Sequence, residues 1–182
     1  MPTTFFPNSP ATLDRRRLLA CLALGAGALT TNLRLFAQPA RQMMQQKPSS
    51  PENSKLTSLH YEVPIKASPA RIYSALLDAK QFAAFSGLPA EIDPKEGGIF
   101  SLFQNQIVGR NVELVVNARV VQAWRPTHWD PGLYSIAHFE LKPAAAGTTI
   151  VFDHTGFPVG EFDHLDAGWH AHYWEPLQKF LA

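Results

Sequence analysis

Hydrophobic and polar positions divide this chain into three stretches of different character. Residues 18–33 form one run rich in Leu, Ala and Gly, and residues 38–54 are polar. From Lys55 onward, apolar and polar positions alternate in short cycles broken by turn residues. Period-two alternation predicts strands over residues 56–66, 99–103, 107–116, 119–124, 133–141 and 148–154. The breaks fall at residues 94–98, 104–106, 126–132 and 143–147. Helical spacing takes over twice. In "SPARIYSALLDAKQFAAF", Ser68 suits an N-cap and Pro69 the first helical position, and Ile72, Ala75, Leu76 and Phe82 recur on one side. Gly87 and Pro89 end this helical pair, and a final helix is predicted over residues 161–181. One strand, two short helices, an antiparallel meander and one long C-terminal helix make an α+β domain. The long helix is the natural cover for the sheet's apolar face.

The faces of these elements follow from their periods. At about 100° per residue, Phe162, Leu165, Trp169, Tyr173, Pro176, Leu177 and Phe180 share an apolar stripe that should face the sheet. Asp163, Asp166 and His170 form a second stripe, read as a solvated face, with a weak surface metal site as the alternative. His164, His170 and His172 do not converge, since positions 170 and 172 lie about 200° apart, so no metal site is expected. His172 borders the apolar stripe and is expected as a hydrogen-bonded core histidine. Pro176 removes one backbone hydrogen bond and should bend the helix. In "TTIVFDHTGF", Ile150, Phe152 and His154 alternate inward, and Val151 and Asp153 outward. His154 would then be polar at the rim of an apolar interior: a general base, a ligand anchor or a satisfied structural group. In "LYSIAHFEL", Leu133, Ala137, Phe139 and Leu141 are the inward set, leaving His138 and Glu140 to solvent. The residues expected to line a ligand cavity are Phe139, Phe152, His154, Trp169, His172 and Tyr173.

Composition narrows the function. The formal charge is +1, but from Lys55 onward there are 10 Lys and Arg against 13 Asp and Glu, a net of −3. A mildly acidic domain offers no basic footprint for nucleic acid. The single cysteine, Cys21, precedes the domain, so neither a disulfide nor a cysteine zinc site is available there. No nucleophile elbow, Gly-rich phosphate loop or domain cysteine nucleophile is present. No catalytic residue and no cofactor are assigned.

The first 37 residues read as an export signal: Arg15, Arg16 and Arg17, a weakly apolar run, then Arg34 and a small-residue cleavage point after Ala37. The pattern around Asp14 to Leu19 resembles a twin-arginine signal with Asp in place of Ser or Thr. This predicts a periplasmic or secreted protein. Two rivals stay open. An uncleaved membrane anchor would need about 20 strongly apolar residues, against a shorter run diluted by Gly, Thr and Asn. "LLAC" at positions 18–21 resembles a lipoprotein box, but arginines sit directly before it. Residues 38–54, rich in Pro, Gln and Ser, read as a disordered linker. The domain is expected at residues 55–182, large enough to bury roughly two thirds of its unfolded surface, with no stable membrane span.

One resemblance is specific. The segments Gly97-Gly98-Ile99-Phe100-Ser101-Leu102-Phe103, Gly109, Glu113-Leu114, Trp124-Arg125, Trp129, Tyr134-Ser135, Gly168-Trp169, Tyr173-Trp174-Glu175 and Leu177 resemble the C-terminal domain of activators of the heat shock protein 90 ATPase. These belong to the SRPBCC, or START-like (Bet v-type), superfamily. The resemblance implies a helix-grip fold: a curved antiparallel sheet wrapped around a long C-terminal helix, often with an apolar cavity between. The eukaryotic activators carry a further N-terminal domain that engages the chaperone, where this chain has a signal and a linker. The expected function is binding of an apolar or amphipathic small molecule between sheet and helix, without catalysis. A cyclase- or hydrolase-like enzyme using His154 and His172, and a protein-binding co-chaperone-like module, are the alternatives.

Overall fold

The computed structural model describes residues 53–182. The expected signal and all but the last two residues of the expected linker lie outside the described residues. A 3₁₀ turn at Asn53–Lys55 is the first described element, and the Asn53 side-chain amide donates to Asp163 at 3.2 Å. Strand β1 (Ser58–Ile65) follows, then α1 (Pro69–Leu77) and α2 (Ala79–Ser86). As the sequence predicts, Ser68 caps α1, accepting from the Arg71 N–H, and Pro69 starts it. Asp78 caps α2 in the same way, and Gly87 closes it at φ 74°. The remaining strands are β2 (Glu91–Ile92), β3 (Ile99–Leu102), β4 (Ile107–Val115), β5 (Arg119–Pro126), β6 (Ser135–Ala144) and β7 (Gly147–Thr155). They pair antiparallel in the order β1-β7-β6-β5-β4-β3-β2, which places the first strand beside the last. The C-terminal helical segment lies in the grip of this curved sheet, confirming the α+β helix-grip reading. Among the described residues no helix is long and apolar enough to cross a membrane.

Alternation along the strands sorts core from surface as expected on β7, where Ile150, Phe152 and His154 are buried and Val151 and Asp153 half-buried. The two-residue strand β2 escapes the pattern because it is too short to show a period. On β6 the inward set is Ser135, Ala137, Phe139 and Leu141. Leu133, expected inward, precedes the strand and is exposed. Pro143, read as a strand breaker, lies inside β6. Pairing with β5 stops at Glu140, so the proline's missing N–H costs no ladder bond on that side. Gly109 on β4 has a packing reason: an added Cβ would sit 2.1 Å from the Ala123 carbonyl and 2.4 Å from the Phe100 ring. Only glycine lets that ring lie flat against the strand.

The C-terminal segment departs most from expectation. It runs as α3 (Phe162–Trp169), one π-helical turn (His170–Trp174) and α4 (Glu175–Leu181). The Glu175 N–H reaches back five residues to the His170 carbonyl. Pro176 explains the wide turn: it has no N–H, and in a regular helix its ring would strike the carbonyl four residues back. The extra residue rotates everything beyond it. Trp174 and Leu181 are buried, whereas Pro176 is half-buried and Phe180 is exposed. The buried stripe therefore steps from Leu165, Trp169 and Tyr173 to Trp174, Leu177 and Leu181.

The acidic stripe is also not a solvated face. Tyr61 on β1 donates its hydroxyl to Asp166, and Asp163 holds Asn53. Burial, and then the Asp166 carboxylate, raise the Tyr61 pKa. Only His170 of the three is exposed, with its ring edge-on to Tyr61.

Candidate functional site

His154 is fully buried at the centre of the sheet's inner face. The Trp169 indole N–H donates to its Nδ1 at 3.0 Å. With Nδ1 accepting, the ring proton of the neutral imidazole sits on Nε2, which lies 2.7 Å from Ser135 Oγ and donates to it. The Ser135 hydroxyl then donates to the Trp124 carbonyl at 3.0 Å. Every member of this relay is satisfied, and the ring has no uncommitted lone pair. Burial pushes the His154 pKa down to about 3, so the ring stays neutral. Of the three roles open to it, this geometry fits the satisfied structural group.

Beside the relay is a cavity of about 470 Å³. Trp124 of β5 and Trp169 of α3 form its inner wall, stacked with centroids 5.3 Å apart. Tyr173 of the π turn closes one side, packed on Trp169 at 4.3 Å and on Phe103 at 5.4 Å. Phe103 follows β3 at φ 53°, a costly backbone for a bulky residue, and so leans over the cavity. The same helical segment adds small residues to the lining, Ala167, Gly168 and Ala171. A Cβ added at Gly168 would meet nothing within 4 Å. Gln106, Thr127, His128, His164 and His172 also line the cavity.

Two buried polar atoms belong to these walls. Neither the Trp124 indole N–H nor the Tyr173 hydroxyl has a hydrogen-bond partner among the described residues. Burial raises the Tyr173 pKa, and the nearby Trp124 N–H offsets this a little without reaching hydrogen-bond geometry. Both side chains are nearly inaccessible, at 4% and 3% exposed.

The family model for Activator of Hsp90 ATPase homolog 1-like proteins matches residues 66–182. The chain belongs to this family. Among curated relatives, an uncharacterized protein of Schizosaccharomyces pombe is 32% identical over 111 residues, covering 61% of this chain and 33% of its own length. An activator of 90 kDa heat shock protein ATPase homolog 2 from Mus musculus is 27% identical, covering 68% of this chain and 38% of its own. The chain thus spans about a third of the length of these relatives. An HSP90 activator from Plasmodium falciparum has the same fold, with a TM-score of 0.65 at 24% identity over 69% of this chain and 96% of that one.

In this Hsp90 ATPase activator-like domain, the six residues expected around a cavity separate. Trp169, His172 and Tyr173 line it; Phe139, Phe152 and His154 do not, and sit in the core behind Trp169. Phe152 packs on Trp169 at 4.3 Å and Phe139 at 5.9 Å, so they support the wall. His172 is exposed and lies near Phe103 at the opening, not in the core. The wide turn swings it away from the buried stripe. Sequence reasoning passed over Trp124, Phe103 and Gly168. The signal for Gly168 was present: a glycine inside a helix, costing about 1 kcal/mol against alanine, asks for a reason.

Proposed function

We propose that this domain binds an apolar or amphipathic small molecule bearing one hydrogen-bonding oxygen, that it does so without catalysis, and that the protein is exported. The observation that carries the binding reading is the pair of buried, unpartnered polar atoms, Trp124 Nε1 and Tyr173 OH, on the walls of an otherwise aromatic cavity. A buried polar atom left unsatisfied costs about 1–3 kcal/mol; an oxygen of a bound molecule offsets that cost. The glycine and alanines of the helical wall support it, because they leave volume that larger residues would fill. The commitment of both His154 nitrogens inside the protein supports a non-catalytic role. Export is supported by the arginine triplet ahead of a weakly apolar run. A second reading, docking to a protein partner, is favoured by the likeness to the mouse relative, an activator of 90 kDa heat shock protein ATPase homolog.

Gly168→Leu separates the two. Leucine fills the cavity from a helical position with open space beside it, so stability should hold or rise by up to about 1 kcal/mol. Affinity for the fluorescent probe anilinonaphthalene sulfonate should fall at least about tenfold, or 1.4 kcal/mol. Unchanged probe affinity in the variant, or no probe binding by the parent, would favour the protein-partner reading. Native mass spectrometry of the protein from its own host should show a co-purifying small molecule that Gly168→Leu loses.

A further inference from the structure

At the cavity's edge three metal-ligating side chains meet. His128 comes from the loop after β5, Glu161 from the N-cap position of α3, and His164 from the first turn of that helix. One ligating atom from each lies within 4.8 Å of the other two. His128 and His164 both line the cavity, with their rings near perpendicular and centroids 5.7 Å apart. The helix alone offers no three-ligand set, as its angular spacing requires. The loop after β5 supplies the ligand that the helix lacks.

The distances and the bonding both suit an ion. Zinc sits about 2.0–2.2 Å from nitrogen and oxygen ligands, which puts tetrahedral ligand atoms about 3.4 Å apart. His128 Nε2 and Glu161 Oε2 are already 3.5 Å apart. That is too long for a charge-assisted hydrogen bond, whose usual length is about 2.7–2.9 Å. Glu161 Oε2 is buried and has no hydrogen-bond partner among the described residues. Nor does Glu161 cap its helix, since no side-chain cap bond forms. Two imidazoles and a carboxylate therefore converge with no hydrogen bond among them, the nearest approach being the 3.5 Å contact of His128 with Glu161. A buried carboxylate oxygen without a donor is costly unless a cation meets it.

We propose that His128, Glu161 and His164 bind one divalent transition-metal ion of the zinc class, with a fourth position open to the cavity mouth. Two histidines and one carboxylate suit zinc or another first-row ion, and three protein ligands leave a coordination site for water or an entering oxygen. Metal binding is independent of the cavity reading, because it is tested without any organic molecule.

The full chain, tag removed and stripped with chelator, is titrated with Zn²⁺ by calorimetry and with Co²⁺ by visible spectroscopy. One ion per chain should bind more tightly than about micromolar. The Co²⁺ complex should show d–d bands without a thiolate charge-transfer band, which excludes Cys21. His128→Ala, His164→Ala and Glu161→Gln should each weaken binding by more than the roughly 10–100-fold that loss of an outer-shell partner costs. His170→Ala and His138→Ala, outside the cluster, should leave it unchanged. The proposal is overturned if the parent binds no stoichiometric ion, if a thiolate band appears, or if the His128→Ala/His164→Ala double variant keeps the affinity. Parent stoichiometry and spectrum decide the matter even where a variant fails to fold.

Discussion

His154 couples the fold to pH through a single proton. It is enclosed by Trp124, Phe152, Phe157 and Trp169, with ring centroids 5.1 to 6.2 Å away. In the unfolded chain it takes up a proton near pH 6.5; folded, it does so only at about 3. Between these values the unfolded state holds more protons, so stability rises with pH. The contribution is full above about pH 6.5 and is lost as pH falls toward 3, at up to about 1.4 kcal/mol per unit. His154→Gln should be less stable at pH 7, and its deficit against the parent should shrink by about 2 kcal/mol at pH 5. Urea melts at the two pH values measure this; a constant deficit would mean that His154 takes its proton inside the fold. That His154 points inward was legible from alternation on β7. Its partners Ser135 and Trp169 were not, since each comes from another element brought close only by folding.

The π turn is the element whose consequences reach furthest. A regular helix over residues 161–181 would turn Phe180 inward and Trp174 aside. The wide turn reverses this: Trp174 is 2% exposed and stacks on Trp169, and Phe180 is 36% exposed. Trp174→Ala and Trp169→Ala should each cost about 3–5 kcal/mol, the range for a large buried aromatic. Phe180→Ala should cost less than about 1 kcal/mol. Chemical denaturation of the three variants ranks them, and a costly Phe180→Ala beside a mild Trp174→Ala would restore the regular helix. The proline that forces the turn was visible in the sequence, and a bend was expected from it. Whether the backbone bends, breaks or widens depends on which aromatic the sheet accepts, and local periodicity holds no information about that.

At the scale of the whole molecule, the proposed export makes a prediction about where the chain works. If residues 1–37 are a twin-arginine-type signal, Arg15→Lys/Arg16→Lys should leave precursor in the cytosol, and full delivery of the variant to the periplasm would remove the assignment. Cell fractionation with an antibody to the domain reads this directly. Within the domain, the sequence alone determined the order of the longer strands and of the two short helices, the cap of α1 and the inward face of β7, while the helix-grip architecture came from the family resemblance. These are local: capping bonds, turn residues and side-chain period act over a few positions and leave their mark in neighbouring residues. Only the tertiary structure decided that Tyr61 holds Asp166, that Trp169 meets His154, that Trp124 and Tyr173 share a cavity wall, and that His128 joins Glu161 and His164. These pairings span from 15 to 105 positions in the chain. They depend on the curvature of the sheet and the width of one helical turn, both set by how the packed elements fill space together.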